Sequence, residues 1–381
     1  MKFYLAPLEG VTGYIYRNAL EKYFPGTDRY FTPFIVPDQK RTLRSKELRD
    51  VLPENNRVGT LVPQILTNDG DRFREAVQAL GEYGYEEVNL NLGCPSGTVV
   101  SRRRGAGLLG VPDELDRFLD RIFSENEVRI SIKTRIGMTS PDEAYRLIHI
   151  YNQYPLSELI IHPRTREEYY RGQPHREVFA KLLPLCRMPV CYNGNLLTAR
   201  DYAAFREQFP TVDRVMLGRG VIANPGLIRE LCDGEHAQAA KPRSESVEAV
   251  SRMQPDLENR EHAHVAQQQG ERADTARRVQ ARLNDMEHAQ AVRKTGKAEL
   301  RAFHDELFEQ YREIFKEEKN AIFHMKELWT YLLHSFADAQ KHGKRLRKAG
   351  SLNEYLCAVD GLFRECELLP DGPEVWTLPM K

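Results

Sequence analysis

The sequence predicts an α/β fold: a (β/α)8 TIM barrel followed by a small C-terminal helical bundle. Up to about residue 235, short β-rich runs alternate with amphipathic helical stretches, a pattern that implies parallel strands joined by crossover helices. Eight such units fit within about 230 residues, which is the usual size of this barrel. From Glu299 onward only helical periodicity remains, and this indicates a bundle after the barrel.

Each candidate strand is a short run rich in β-branched or aromatic residues. The runs are Phe3–Ala6, Arg29–Phe34, Leu61–Ile65, Glu87–Leu92, Ile130–Thr134, Glu158–His162, Val190–Asn193 and Arg214–Leu217. Helices are predicted between them, for example Asp71–Tyr83, Pro112–Ser124, Pro141–Tyr151 and Ala199–Phe209. A doubly wound open sheet is the alternative, but it usually begins with a glycine-rich turn. The first turn here, Ala6-Pro7-Leu8-Glu9-Gly10, has no GxGxxG pattern.

A change in composition sets the predicted domain boundaries. We expect the barrel domain in residues 1–236, a charged insert or linker in 237–297, a helical domain in 298–370 and a tail in 371–381. The insert is predicted to be helical or disordered, and no chemistry is assigned to it. Helices are expected from Glu299, near Asn320–Ala339 and near Leu352–Glu367, with the basic run Lys341–Lys348 as a loop between the last two.

The charge balance and the cysteines limit the kind of protein. Lys and Arg total 55, as do Asp and Glu, so a nucleic-acid site would have to be a local basic patch. No run reaches the ~18 apolar residues of a membrane span, and the N-terminal apolar run is too short for a signal peptide. The six cysteines form no CxxC pair, which suits a reducing cytoplasm and predicts neither a disulfide framework nor a metal site.

A Gly-Cys-Pro turn after the strand Glu87–Leu92 brings Cys94 to the carboxyl end of the predicted barrel, where catalytic groups collect. A buried structural cysteine is one interpretation. A proton donor is another, because a thiol with the ordinary pKa of about 8.5 is protonated at neutral pH. Reduction of a carbon–carbon double bond needs a hydride on one carbon and a proton on the other. A nucleophilic thiol would need a paired base, and none is evident from the sequence.

Other strand ends carry polar or small residues. Lys133 follows apolar neighbours, so its ammonium is expected in the barrel mouth, where it could neutralise an anionic reduced flavin; a surface lysine in a salt bridge is the alternative. His162 and Arg164 could bind phosphate or uracil oxygens, although a lone histidine would more often be structural. The last two strand ends are Asn193-Gly194-Asn195 and Gly218-Arg219-Gly220, whose small residues suit a phosphate site.

Taken in order, these motifs resemble those of the tRNA-dihydrouridine synthases. They are APLEGVT (Ala6–Thr12), Gln64, NLGCPS (Asn91–Ser96), SRRRGAGLL (Ser101–Leu109), KTRIG (Lys133–Gly137), HPRTR (His162–Arg166), NGN (Asn193–Asn195) and GRG (Gly218–Gly220). The likeness covers residues 1 to about 235 and resumes over about 299–367. Asn195 departs from the acidic residue common in the family, and Pro163 from a smaller residue. The insert has no recognised counterpart; it could be an inserted arm, a lineage-specific spacer or an artificial addition.

The resemblance implies an FMN cofactor reduced by NADPH (or NADH), hydride transfer to C6 of a uracil in tRNA, and protonation of C5 by Cys94. By position, the residues that would hold FMN are Pro7, Leu8, Glu9, Gln64, Lys133, His162, Asn193, Gly194, Asn195, Gly218 and Arg219. Asn91 would face the uracil, and Arg164 would contribute to substrate binding. We expect a cytoplasmic monomer.

RNA contacts are expected from local basic groups, because the target base must be extruded from folded RNA into the pocket. Arg102, Arg103 and Arg104 follow Cys94 in the same loop, and Lys341–Lys348 lies in the helical domain. Charge runs are usually solvated faces, and that interpretation stays open for both. Two rival functions also remain: an FMN barrel that reduces a free pyrimidine or a small enone, and an RNA-binding protein that has lost catalysis.

Overall fold

The computed structural model describes residues 1–124, 128–239 and 293–369. They form two compact units, one made of 1–229 with 294–369 and the other of 230–239 with 293. The predicted insert falls largely on residues 240–292 and the predicted tail lies beyond 369, so both predictions lie outside the described residues.

Nine parallel strands in the described residues form a single sheet. They are β1 Lys2–Leu5, β2 Arg29–Phe31, β3 Leu61–Val62, β4 Gln64–Ile65, β5 Glu87–Leu92, β6 Arg129–Gly137, β7 Glu158–Thr165, β8 Val190–Tyr192 and β9 Arg214–Leu217. The strand order is β3-β2-β1-β9-β8-β7-β6-β5-β4. β3 and β4 stand at the two ends of this order, yet only Pro63 separates them in the chain. The two ends of the sheet therefore meet, and the predicted (β/α)8 barrel is confirmed.

Pro63 explains why the third predicted strand is divided. Proline has no backbone N–H and cannot donate to a ladder, although its carbonyl still accepts a hydrogen bond from Asn89 N at 2.8 Å. β3 pairs with β2, and β4 pairs with β5 through Gln64 and Asn89. The sheet therefore lacks one backbone N–H donor at Pro63, while the ring of strands remains closed.

The barrel interior is a packed core. Side chains from six strands meet there, and the cluster consists of Tyr4, Ala6, Phe31, Val62, Ile160, Cys191 and Met216, with Leu8 packed against it. Every residue of β5 and of β7 is buried. This is expected of parallel strands covered by side chains inside and by helices outside.

Helices follow the strands, and those within residues 1–229 cover the barrel. Their bounds are α1 Tyr14–Tyr23, α2 Ser45–Val51, α3 Gly70–Gly81, α4 Gly97–Val100, α5 Pro112–Ser124, α6 Glu143–Tyr151, α7 Arg176–Leu182, α8 Ala199–Gln208, α9 Arg219–Ala223 and α10 Leu227–Ala239. The apolar spacing of α5 places Leu115, Phe118, Leu119 and Ile122 on one buried face. Asp69 caps α3 by accepting hydrogen bonds from the Asp71 and Arg72 amides.

Four more helices form the C-terminal bundle: α11 Lys297–Ile314, α12 Glu318–Leu332, α13 Gln340–Lys348 and α14 Leu352–Glu365. Two predictions in this region were wrong. The helix expected near Asn320–Ala339 ends at Leu332, and the basic run Lys341–Lys348 is helical rather than a loop. The run forms a helix because His342, Gly343 and Leu346 give it a buried face, while the basic residues occupy the solvent side.

The bundle packs against the barrel within one compact unit. Phe303 of α11 is fully buried, and its ring makes edge contacts with Tyr16, Tyr23 and Phe24 at centroid distances of 5.7, 6.3 and 5.5 Å. Arg229 forms a two-point ion pair with Glu299, with both N–O distances at 2.8 Å. In addition, Ser335 Oγ donates a hydrogen bond to the Ala223 carbonyl in α9 at 2.7 Å.

Within the described part of the chain, no helix is both long and apolar enough to cross a bilayer.

Candidate active site at the carboxyl end of the barrel

Strand register brings the predicted polar residues to one rim. Asn91 on β5 pairs with Lys133 on β6, and Arg135 on β6 pairs with His162 on β7. Neighbouring strands lie about 4.8 Å apart, so these side chains are close neighbours at the carboxyl ends of the strands. The alternation of a parallel strand gives Lys133 and Arg135 the same inward direction.

Asn91 fixes the loop that carries Cys94. Its Oδ1 accepts hydrogen bonds from the amides of Gly93 and Cys94 at 3.0 and 2.9 Å. Its Nδ2 donates to Gln64 Oε1 at 2.8 Å. The Cys94 carbonyl accepts from Ala106 N at 3.1 Å, and a Cβ on Gly105 (φ 54°) would lie 3.1 Å from Cys94 Cβ. The thiol-bearing residue is therefore held at both its amide and its carbonyl, with a glycine packed against it.

The surroundings of Cys94 favour the protonated thiol. Burial raises the pKa of the thiol, while a backbone hydrogen bond from Ser96 and the charges of Arg135 and Lys133 partly oppose the rise. Burial dominates, so the group is a thiol at neutral pH. Cys94 therefore lies close enough to Lys133 and Arg135 for both positive charges to act on its thiol.

Lys133 is half-buried, and no described residue forms a hydrogen bond or ion pair with its ammonium. Burial lowers its pKa to about 8, and the Arg135 guanidinium adds to the effect. The alternative of a lysine in a surface salt bridge does not agree with this environment. An unpaired cation in a barrel mouth is suited to an anionic ligand.

His162 is buried and neutral. Burial lowers its pKa well below the usual range, and the charges of Arg135, Lys133, Arg164 and Arg219 lower it further. Arg164 NH1 lies 2.9 Å from His162 Nε2, and since guanidinium only donates, Nε2 accepts and the ring proton resides on Nδ1. No described residue accepts from Nδ1, which leaves it as a donor for a ligand.

Arg164 is completely buried, and protein acceptors engage its guanidinium. Besides His162, it donates to the Arg171 carbonyl at 3.2 Å and to the Gly172 carbonyl at 2.7 Å. Gln64 is equally buried, and its amide joins Asn91 to Asn89, with its Nε2 donating to Asn89 Oδ1 at 2.8 Å. Both predicted binding residues thus orient other site residues.

The loops after β8 and β9 form the opposite side of the mouth. Asn193 Nδ2 donates to the Met216 carbonyl at 2.8 Å, and Arg219 donates to Asn195 Oδ1 at 2.8 Å. A Cβ on Gly194 would lie 2.1 Å from the Tyr192 hydroxyl oxygen, so this position requires glycine. A Cβ on Gly218 would lie 3.3 Å from Ala6 Cβ, which brings the β9 loop against the β1 loop.

The first loop and the arginine loop lie nearer to solvent. Pro7 and Leu8 are half-buried, whereas Glu9 is exposed and pairs with Lys46 at 2.7 Å. Arg102 and Arg103 are exposed, Arg103 pairs with Glu114, and Arg104 is half-buried with its Nε 3.3 Å from Asn68 Oδ1. Of the three arginines, Arg102 is the one whose side chain makes no hydrogen bond or ion pair with a described residue.

Sequence reasoning assigned no role to Arg135 or Tyr170. Arg135 donates to the Gly93 carbonyl at 2.9 Å and to the Thr165 and Tyr169 carbonyls at 2.9 and 2.8 Å, so it ties the Cys94 loop to the β7 loop. Tyr170 is 48% exposed and lies under the guanidinium groups of Arg135 and Arg219, 5.4 and 4.9 Å from its ring centroid. The strand alternation after Lys133 could have identified Arg135. Tyr170 lies in a loop, where no periodic signal exists.

Among the residues with described side chains, no group of three or more His, Cys, Asp and Glu is placed to hold a metal ion.

The fold and this rim define a TIM-barrel enzyme with a protonated thiol, Cys94, close to an unpaired lysine, Lys133, at the carboxyl ends of adjacent strands. A family model described as Dihydrouridine synthase (Dus) matches residues 4–327. The chain therefore belongs to the dihydrouridine synthase family.

Curated relatives agree with this assignment. A tRNA-dihydrouridine(16) synthase of Aquipseudomonas alcaligenes is 30% identical over 239 residues, 61% of this chain and 75% of that protein. A tRNA-dihydrouridine(16) synthase of Pseudomonas putida is 31% identical over 64% of this chain and 77% of that protein. The tRNA-dihydrouridine synthase B of Pasteurella multocida is 28% identical, covering 60% and 68%. A solved structure of morphinone reductase aligns with 61% of this chain at 14% identity and a TM-score of 0.44, which supports no functional inference.

Proposed function

We propose that this chain reduces specific uridines of tRNA to 5,6-dihydrouridine, with FMN as the cofactor and NADPH as the reductant. The observation that carries the proposal is the convergence of a protonated Cys94 with Lys133, Asn91 and His162 at one barrel rim. Family membership and the names of the curated relatives support the same reaction. We propose a monomer that acts in the cytoplasm, where the tRNA substrate is found.

The residues at the rim fit a flavin mononucleotide. Lys133 offers an unpaired ammonium for the electron-rich edge of the ring, and His162 Nδ1–H is a second donor. Arg219 with the glycine loops at 194 and 218 suits the phosphate. Pro7, Leu8 and Glu9 would complete the site from the first loop, and Asn193 and Asn195 from the β8 loop. Gln64 and Arg164 would contribute through the side chains they orient.

When bound and reduced, FMN supplies the hydride that adds to C6 of the uracil. Cys94 holds its proton at Sγ and delivers it to C5, so that hydride and proton together reduce the C5–C6 double bond. Asn91 would face the uracil while its Oδ1 holds the Cys94 loop in place. Arg135 keeps the Cys94 loop and the β7 loop together, which holds the thiol in position beside Lys133.

For the RNA backbone, we propose contacts from the Arg102–Arg104 loop and from helix α13. Lys341, Lys344, Arg345 and Lys348 are exposed at spacings of three and four residues, so they share one helical face. No described residue forms a salt bridge with any of them. Several exposed arginines elsewhere in the described residues, such as Arg44, Arg103 and Arg146, do pair with carboxylates, and an unpaired basic stripe is the arrangement that binds phosphates.

The rival functions explain fewer of these features. A barrel for a free pyrimidine would need neither the stripe on α13 nor the docked bundle. A catalytically silent RNA-binding protein would need no protonated, half-buried thiol beside Lys133.

The decisive experiment compares nucleosides of tRNA from cells that carry the gene, lack it, or carry only the Cys94→Ala variant. Mass spectrometry should find a lower dihydrouridine content at particular tRNA positions in the deletion strain and in the variant strain than in the wild type. The purified protein should be yellow, and Cys94→Ala should retain the flavin while losing most turnover. An unchanged dihydrouridine content in the deletion strain would reject the proposed reaction, and a colourless protein that does not take up FMN would reject the cofactor.

A further inference from the structure

Phe323 on α12 is the most exposed large apolar side chain among the described residues, with 65% of its surface open to solvent. Packing of the bundle does not require it, because Ala321, Ile322 and Met325 form the buried face of the same part of the helix. A single exposed ring is common on protein surfaces, so its role has to be argued from the residues around it. Its position in the fold indicates what it contacts.

Helix α12 runs along the rim of the active site. Glu327 lies one turn after Phe323 on the same face, and its Oε2 is 3.5 Å from the place a Cβ on Gly10 would occupy in the first loop. Tyr331 follows one turn later and lies close enough to Arg219 at the mouth for the two groups to interact electrostatically. This row of residues therefore passes the barrel mouth from Tyr331 beside Arg219 to Glu327 beside the first loop, and Phe323 lies one turn beyond Glu327.

An unpaired cation accompanies the ring. Lys319 lies one turn before Phe323 on the same face, it is exposed, and its ammonium has no hydrogen-bond or ion-pair partner among the described residues. The nearest acidic neighbour in sequence, Glu318, is already engaged by Arg312 at 3.2 Å. One helical turn, 5.4 Å, separates the two positions, a span comparable to that between a base and its own phosphate.

We propose that Phe323 stacks on an unpaired nucleobase of the RNA substrate next to the uridine in the pocket, and that Lys319 contacts the phosphate of that nucleotide. The inference rests on the proposed function. Extruding the target uridine deprives its neighbours of a stacking partner, and an aromatic ring at the pocket rim replaces that partner. Stacking tolerates any base, so the contact would serve each tRNA that the enzyme accepts.

The test measures binding of fluorescently labelled tRNA to the FMN-loaded protein at several salt concentrations. Phe323→Ala should weaken binding about tenfold, equivalent to about 1.4 kcal/mol, without changing the salt dependence, because a neutral ring releases no counterions. Lys319→Ala should lower the slope of log affinity against log salt by about one unit. Phe323→Trp should keep the affinity, and its indole emission should be quenched when tRNA binds. Tyr145→Ala, at a 39% exposed aromatic on α6, is the matched control and should bind as wild type.

The outcomes separate the inference from the proposed function. If the wild-type protein fails to bind tRNA, the proposed function fails as well. If the wild type binds and Phe323→Ala binds equally well, the stacking role is rejected while the proposed function stands. If Phe323→Ala instead abolishes self-association of the wild type and leaves tRNA binding intact, the ring is a protein contact and the inference is overturned. Thermal unfolding of Phe323→Ala should match wild type, because an exposed ring contributes little to folding.

Discussion

The site residues differ in whether they face a ligand or hold another residue. Lys133 Nζ and His162 Nδ1 have no hydrogen-bond partner among the described residues, and the Cys94 thiol is held in its protonated form, whereas the polar atoms of Arg135, Arg164 and Gln64 are bound to protein partners. Substitutions in the two groups should therefore have different consequences. Changes in the first group should alter chemistry or cofactor binding, and changes in the second should alter folding and loop position.

The raised pKa of Cys94 predicts the pH dependence of the chemical step. A proton donor works below its pKa, so the rate should stay level through neutral pH and fall only in the alkaline range above the ordinary thiol value of about 8.5. Single-turnover reduction of tRNA by pre-reduced enzyme would give this profile. Cys94→Ala should slow the step by about 10²–10⁴-fold with flavin content unchanged. A rate that rises as the thiol ionises would instead indicate a nucleophile.

The charged Lys133 should lower the folding stability of the flavin-free protein while favouring the binding of an anionic ligand. Its lowered pKa means that the folded chain disfavours the charged ammonium. Below pH about 8 this penalty is present in full, and it fades as the pH rises from there towards about 10.4, the value in the unfolded chain. We expect Lys133→Met to stabilise the flavin-free protein by about 1–2 kcal/mol at neutral pH, and to weaken flavin binding. Denaturant unfolding and flavin titration measure the two effects; a less stable flavin-free variant would contradict the first.

At the level of elements, the loop after β8 depends on one glycine. A Cβ at Gly194 would lie 2.1 Å from the Tyr192 hydroxyl, and Tyr192 is buried among Phe179, Phe205 and Phe209. The ring cannot move aside, so Gly194→Ala should cost about 1–3 kcal/mol and distort the loop proposed to bind phosphate. Calorimetry with and without FMN would measure both losses. Gly81→Ala, where the added Cβ meets nothing within 4 Å, is the control and should be neutral or stabilising.

Helix α13 presents its basic residues on one face because its other face is buried in the bundle. Replacing Lys341, Lys344, Arg345 or Lys348 singly by Ala should weaken tRNA binding and reduce the salt slope by about one unit each, leaving the rate of the bound complex unchanged. Binding titrations over a salt series measure this. Lys181→Ala, an exposed lysine on α7, should have no effect. Slopes equal to wild type in all four variants would show a solvated face instead.

For the whole molecule, the barrel and the bundle should unfold together. Phe303 is fully buried among three aromatic rings of the barrel, so Phe303→Ala should cost about 3–5 kcal/mol. The loss should appear as one transition with a lower Tm, because 1–229 and 294–369 form one compact unit. A variant in which the bundle melts first and the barrel keeps the wild-type Tm would show that the two parts are independent. Phe323→Ala supplies the exposed control.

The sequence by itself determined the barrel and the identity of its rim. Alternating strands and helices set the parallel sheet, two strands were predicted with their observed bounds, and polar residues at strand ends identified Cys94, Lys133 and His162. These features are local, since periodicity and strand ends depend on residues near in the chain.

The tertiary structure alone decided which of these groups remain available to a ligand. Arg164 is occupied by carbonyls of residues 171 and 172, Arg135 spans two loops, and the basic run became helical because distant residues bury one of its faces. Phe303 and Phe323 are both aromatic positions on C-terminal helices, yet one is buried and the other is 65% exposed. Such differences arise from partners far apart in the chain, which a local pattern does not encode.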